Sequence, residues 1–466
     1  MKRHFLFLLL IIPITLITLI FGPGCANIIP PSGGPRDSLP PVLVRAEPPD
    51  SSVNFRGRTI RLHFNEFVDL QDLQQNLLFT PLFNTNPVIE AKLNTLTLRL
   101  RDSLEPNTTY VFNFGNAIKD INEGNVLHNF VYTFSTGPVL DSLTLSGKVL
   151  LAENGKIDST LIVVLHKSLT DSAVVKDRPR YVTRLDRNGN FTFKNLPGGT
   201  FALYALGDPG GGRRYLNKTQ LFAFTNEPVI LTDTTKSVTL YAYREVETPT
   251  TPPPTGRTAT PTDRRLRFTT NLTNNQQDLL TPLNITFEQP LRSIDSSKMG
   301  LFSDSLYNRV TAYHLQLDSS RKRLTLQTAW QPGTSYHLIL DRDFAEDTTG
   351  RKLLKTDTLS FTTRKEADYA QIRLRIRNLD FAQNPVLQFV QNEAVVFSVP
   401  LKGDTWSQNL FLPGDYDLRI LYDQNGNGRW DPGQFFGTKR QPELVRPIER
   451  RLTAKAGSEN DVEVSL

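Results

Sequence analysis

The chain has 466 residues, room for three or four domains of ordinary size. Its 53 lysines and arginines face 47 aspartates and glutamates, a net charge of +6 spread without a long basic run, which argues against a nucleic-acid partner. A single cysteine rules out a disulfide within the chain, and prominent threonine, leucine, phenylalanine and asparagine favour strands over helices.

Lys2 and Arg3 precede an apolar run from Phe5 to Phe21, broken by Pro13 and two threonines. A short basic head before an apolar stretch is a secretory signal. Gly22-Pro23-Gly24-Cys25 follows and resembles the lipobox of bacterial lipoproteins, although Gly22 stands where a leucine-like residue is usual. The resemblance implies removal of residues 1–24 and acylation of Cys25, the palmitate-type anchor. The alternative is an uncleaved N-terminal anchor with Cys25 incidental, and either one places the rest of the chain outside the cytoplasm. Residues 25–40, rich in Pro, Gly and Ser, read as a tether. By resemblance to lipoprotein sorting, Ala26 gives no inner-membrane retention signal, so the outer membrane is expected. No acidic cluster follows the cysteine, which favours the periplasmic over the cell-surface side.

Four rows of alternating apolar residues follow. They run through Ile60, Leu62 and Phe64; Leu96, Leu98 and Leu100; Tyr110, Phe112 and Phe114; and Phe130, Tyr132 and Phe134. A period of two with one apolar face is a half-buried antiparallel strand. Pro40-Pro41-Val42, the Phe64-Asn65-Glu66 strand end, Leu104-Glu105-Pro106-Asn107-Thr108-Thr109-Tyr110 and Phe134-Ser135-Thr136 together resemble the bacterial Ig-like domain of S-layer and cell-envelope proteins. The resemblance covers residues 41–137 and implies a sandwich with no particular ligand.

Residues 141–245 open on Leu143-Thr144-Leu145-Ser146-Gly147-Lys148-Val149 and continue through Ile162-Val163-Val164-Leu165. The Asn188-Gly189 pair predicts a tight turn into the strand around Phe191. This block resembles the carboxypeptidase-regulatory or prealbumin-like sandwich, which is not catalytic. Residues 246–262, rich in Thr and Pro, read as a semi-rigid linker that lets two arms orient separately. Beyond it the pattern repeats. Leu324-Thr325-Leu326, Gln331-Pro332-Gly333-Thr334-Ser335-Tyr336, Asp347 and Phe361-Thr362-Thr363 follow the order of Leu96-Thr97-Leu98, Glu105 to Tyr110, Asp120 and Phe134-Ser135-Thr136. Residues 263–364 thus read as a second, divergent Ig-like domain. Leu412-Pro413-Gly414 through Asp423 echoes Leu196-Pro197-Gly198 through Asp208, so residues 365–466 read as a second regulatory-type sandwich. The expected fold class is all-β, tandem Ig-like and prealbumin-like sandwiches behind a lipoprotein signal peptide.

The sharpest candidate site is Asp423, Asn425, Asn427, Arg429 and Asp431. Side-chain oxygens stand at relative positions 1, 3, 5 and 9, Gly428 stands at 6, and Arg429 offers a carbonyl at 7. A calcium loop uses that spacing because alternate side chains converge on one ion while a glycine permits the sharp turn. Gln434 stands where such a loop has a bidentate glutamate, so calcium, the one cofactor expected, would bind weakly. The competing reading is a hairpin turn, which uses Asn and Gly for reasons unrelated to metal. Trp406 and Trp430 are candidate ligand platforms, since an exposed ring stacks on sugars, against the commoner role of core packing. Glu66, Asp69 and Asp120 read as turn and edge residues rather than an acid–base pair. The histidines His4, His63, His128, His166, His314 and His337 are scattered without a metalloprotease motif, and there is no phosphate-binding or nucleophile-elbow motif. The expectation is a non-catalytic structural or interaction module of the envelope. Its partners would be the outer membrane through the lipid anchor and an unidentified envelope protein or glycan. The alternative is a carbohydrate- or protein-binding accessory of an outer-membrane uptake system.

Overall fold

The computed structural model describes residues 36–246 and 265–466. Cys25, the signal segment, the start of the tether and nearly all of the linker lie outside the described residues. The chain forms two compact units, Met1–Leu140 and Asp141–Leu466.

In the first unit, alternation does what the pattern predicts. Ile60, Leu62, Leu96, Leu98, Phe112, Phe114, Tyr132 and Phe134 are all completely buried. One sheet runs Leu43–Glu47, Thr59–Phe64, Thr95–Arg99, Val88–Lys92, and a second runs Phe130–Ser135, Thr109–Gly115, Leu78–Thr80. Their apolar faces meet in a core rich in aromatic rings, with Tyr110 stacked on Phe134 at 5.3 Å. Asp120 ends the strand Ile118–Asp120 and accepts backbone N–H bonds from Glu123, Gly124 and Asn125 at 2.6, 3.0 and 2.7 Å. Burial works against its charge, but those amides outweigh it and hold the carboxyl below the ordinary aspartate range. Asp120 is a turn former with both oxygens occupied. Asp69 lies exposed on a short strand, while burial and the charge of Asp120 push the Glu66 carboxyl up.

The second unit contains three blocks. Residues 265–363 repeat the strand order of the first unit. Phe268–Thr270, Leu283–Phe287, Arg323–Thr328 and Tyr313–Leu317 form one sheet, and the opposite sheet centres on Asp357–Thr363, Ser335–Leu340 and Met299–Ser303. Asp347 repeats the turn of Asp120, accepting from the amides of Thr349 and Arg351 at 2.8 and 3.0 Å.

The other two blocks share a second topology. In one, Asn190–Leu196, Leu143–Leu151 and Val238–Ala242 face a sheet built on Tyr181–Arg184, Leu161–His166 and Gly199–Gly207. In the other, Thr405–Phe411, Ala370–Arg377 and Glu459–Ser465 face Ala394–Pro400, Pro385–Gln391, Gly414–Tyr422 and Leu444–Ala454. In both, the first strand pairs in parallel with the last. The Asn188-Gly189 turn falls where the sequence places it, with Gly189 at φ 75° and the Asp186 carboxylate accepting from the amides of Asn188 and Asn190, each at 2.8 Å.

Gly147 makes the parallel pairing possible. A Cβ there would stand 2.1 Å from the Val238 carbonyl oxygen and 2.4 Å from the Phe191 ring. Gly147→Ala is expected to cost about 3 kcal/mol, the upper end for overpacking, and chemical denaturation of the chain measures it.

Candidate functional site

The strand Gly414–Tyr422 delivers Asp423 into the loop that the sequence singles out. Asp423 is 2% exposed. Its Oδ1 accepts from the amides of Gly426 and Asn427 at 2.7 and 3.2 Å, and its Oδ2 from Gly428 at 2.6 Å. Gly426 and Gly428 adopt φ of 74° and 75°, the left-handed region in which glycine carries no steric penalty. The Asn425 and Asn427 carbonyl oxygens accept from the amides of Asn427 and Arg429 at 3.0 and 2.7 Å. Both asparagine Nδ2 groups donate to Asp431 Oδ2 at 2.6 Å. Arg429 is exposed. The structure thus brings Asp423, Asn425, Asn427 and Asp431 together, with their oxygens turned toward neighbouring N–H groups. Among the described residues, no group of three or more His, Cys, Asp or Glu side chains is disposed to hold a metal ion.

Glu443, which the sequence reading did not mark, closes the loop from the far side. It is 4% exposed; Oε1 accepts from the Gln424 amide at 2.8 Å and Oε2 from the Asp431 amide at 3.0 Å. Burial pushes its carboxyl up, the two amides pull the other way, and the nearby charges of Asp423 and Asp431 add to the upward push. Trp430 donates its indole N–H to the Glu443 carbonyl at 2.8 Å and packs, half-buried, against Val386, Leu421 and Val445. Trp406 is half-buried in the main core of the same block, 5.2 Å from the Phe389 ring. The two tryptophans occupy separate clusters rather than one platform.

Beyond Asp431 the loop leaves its own sandwich. Phe435 is completely buried, with its ring 5.0 Å from Phe222, 5.1 Å from Phe224 and 5.7 Å from Tyr204, all in the block of residues 141–246. The Phe435 amide donates to Glu245 Oε1 at 3.2 Å, and the same oxygen takes the Tyr215 hydroxyl at 3.1 Å. Gln441 donates to the Phe224 carbonyl at 3.0 Å, and the Val445 amide donates to the Ala152 carbonyl at 2.9 Å. Gly433 lies so close to Tyr243 that a Cβ would come within 2.6 Å of that ring. Lys439 pairs with Asp171 at 2.9 Å and Lys156 with Glu393 at 2.6 Å, both exposed pairs worth little beside the ring burial.

These contacts correct the expectation of two separately orienting arms. The first and last blocks of the second unit are fastened to each other, because the loop beyond Asp431 seats Phe435 among Tyr204, Phe222 and Phe224. The sequence signal for this was present in Phe435-Phe436, two adjacent rings in an otherwise polar loop.

Residues 37–136 and 249–363 each match the family profile of the bacterial Ig-like domain. No curated protein matches it in sequence. Among solved structures it is similar to the major pilin subunit BcpA of Bacillus cereus, carrying the D312A substitution. That match has 10% identity and a TM-score of 0.17 over 69% of this chain and 99% of that one. It is also similar to the Bacillus anthracis TIE protein, at 10% identity and a TM-score of 0.17 over 93% and 76%. A third is the S-layer protein rSbsC(31-844), at 11% identity and a TM-score of 0.16 over 91% and 54%. Superpositions this loose carry no functional inference.

Phe435→Ala is expected to remove ~3–5 kcal/mol from the docking of the two blocks, so that a single calorimetric transition for them splits into two. A second prediction concerns His166, 2% exposed and 5.8 Å edge-on from Tyr204 beneath the Phe435 pocket. Burial pushes its pKa down to about 4, against a smaller opposing pull from Asp177. The unfolded chain then takes up a proton near pH 6.5 that the folded chain refuses, so stability is full above that pH. It falls through the window down to about 4, by ~3 kcal/mol in all. Denaturation midpoints between pH 7 and 4 should show this slope, and His166→Phe should flatten it.

Proposed function

We propose that the protein is a lipid-anchored, non-catalytic module of the bacterial cell envelope, held to the outer membrane through Cys25 and presenting its β-domains to an envelope protein or glycan. The observation that carries the reading is the interlock of the second unit. Burial of Phe435 between blocks far apart in sequence makes a stiff body, which suits a scaffold better than a catalyst that opens and closes. The two matches to the bacterial Ig-like domain and the signal-like N-terminus support it. The test is fractionation of cells making the wild type and Cys25→Ala, with labelling by a palmitate analogue. The wild type should carry label and sediment with outer membranes, and the variant should do neither. Unchanged sedimentation of the variant overturns the lipid anchor.

A weak calcium site at Asp423, Asn425, Asn427 and Asp431 is the second reading. What favours it is the nearness of the Asp423 and Asp431 charges to Glu443, whose carboxyl burial and then those charges push up, a push that a cation would relieve. Binding would require the Asp423 carboxylate to exchange amide bonds for the ion, so millimolar affinity is expected. Calcium should raise the melting temperature of the wild-type chain and leave Asp423→Ala unmoved; an equal response in both disposes of the site.

A further inference from the structure

The loop that leaves Asp423 has a counterpart in the block of residues 141–246. There the strand Gly199–Gly207 ends at Asp208, and the chain runs through Pro209 and three glycines to Arg213 and Arg214. The two loops start from the same place in the same topology and end differently. One sends Phe435 into a neighbour, and the other leaves a groove of about 740 Å³ open beside it. Its walls include Asp158, Asp208, Gly210, Gly212, Arg214 and Arg244.

Most polar side chains of this groove are already engaged. Asp158 accepts from the Thr160 amide and hydroxyl at 3.0 and 2.6 Å. Asp208 Oδ1 accepts from the Arg213 amide at 2.9 Å, and Asn217 Oδ1 accepts from the Thr219 amide at 3.1 Å. Gln220 donates to the carbonyl oxygens of Gly207 and Arg214. The two guanidinium groups are the exception. Among the described residues no carboxylate pairs with Arg214 or Arg244, and the Arg214 Nε is buried without an acceptor. An unpaired cation partly removed from water is costly, and the natural remedy is an anion. The surroundings sharpen the need. Arg213, held at φ 55°, is pushed toward its neutral form by burial and by the charge of Arg178, against the pull of Asp208, and Arg184 by burial and by Arg213.

We propose that this groove is a binding site for a phosphate-type dianion, with the guanidinium groups of Arg214 and Arg244 as its recognition pair. Asp158 and Asp208 also line the groove but turn their oxygens to backbone amides, which leaves the two guanidinium groups without a carboxylate partner, and guanidinium meets phosphate oxygens through paired N–H bonds. The groove has room for a sugar-sized body behind the phosphate. The proposal goes beyond the envelope-module reading and does not depend on the Cys25 anchor.

The experiment is calorimetric titration of the mature chain, produced from residue 26, with glucose 1-phosphate in a phosphate-free buffer. Glucose is the neutral control. Saturable binding to the phosphate sugar alone is expected, at least tenfold weaker in Arg214→Gln and in Arg244→Gln. Arg244 is exposed, so its variant should fold normally, and an unchanged melting temperature checks that. Arg45→Gln, in the other unit, should bind as the wild type does. Co-sedimentation with vesicles containing phosphatidic acid, competed by glucose 1-phosphate, identifies the natural source as a lipid headgroup. Binding to the sugar phosphate without vesicle binding identifies a free or glycan phosphate. No heat with glucose 1-phosphate, or heat undiminished in both arginine variants, overturns the proposal.

Discussion

Burial of one ring, Phe435, holds the second unit in its form. A fully buried phenylalanine contributes ~2–3 kcal/mol from area alone, more than the exposed ion pairs around it together. Its pocket is made of Tyr204, Phe222 and Phe224. Glu245, with its side chain 5% exposed, aligns the incoming backbone by taking the Phe435 amide. A non-directional term thus supplies the attraction, and one hydrogen-bonded carboxylate supplies the register.

A second theme is the use of aspartate as a turn former. Asp120, Asp347 and Asp423 each end or follow a strand and gather backbone amides that have no partner in a sheet. Each is nearly buried, which would be costly for a bare carboxylate but not for one surrounded by N–H donors. The same donors lower the Asp120 and Asp347 carboxyls while burial raises them. Glu443 receives two amides but faces two other carboxylates, and for it burial and repulsion prevail.

The legible part of the fold was the local part. Alternation in Tyr110, Phe112 and Phe114 marks a strand because the sheet pleat has a period of two, and all three rings are buried. The repeat was legible because turn residues such as Asp120 and Asp347 answer to backbone geometry, which both copies share. The docking was not legible, because Phe435 meets its pocket across some 190 residues of chain and no local period reports a partner so distant. Glu443 escaped for the same reason; it enters the Asp423 loop from beyond the hairpin. The spacing of Asp423, Asn425, Asn427 and Asp431 marks residues that share one loop, but spacing does not say whether oxygens meet an ion or a row of amides.

The parallel pairing of first and last strands has a mechanical side. In the block of residues 141–246 the register runs from Gly147 opposite Val238 to Leu151 opposite Ala242, and in the last block from Gln371 opposite Glu459 to Arg377 opposite Ser465. Tension along the chain enters the start of the first strand and leaves from the end of the last. Parallel neighbours loaded in that way slide past each other lengthwise, so the hydrogen bonds between them share the load and must fail together rather than one at a time. A body clamped in shear at both ends resists pulling, whatever it is pulled by.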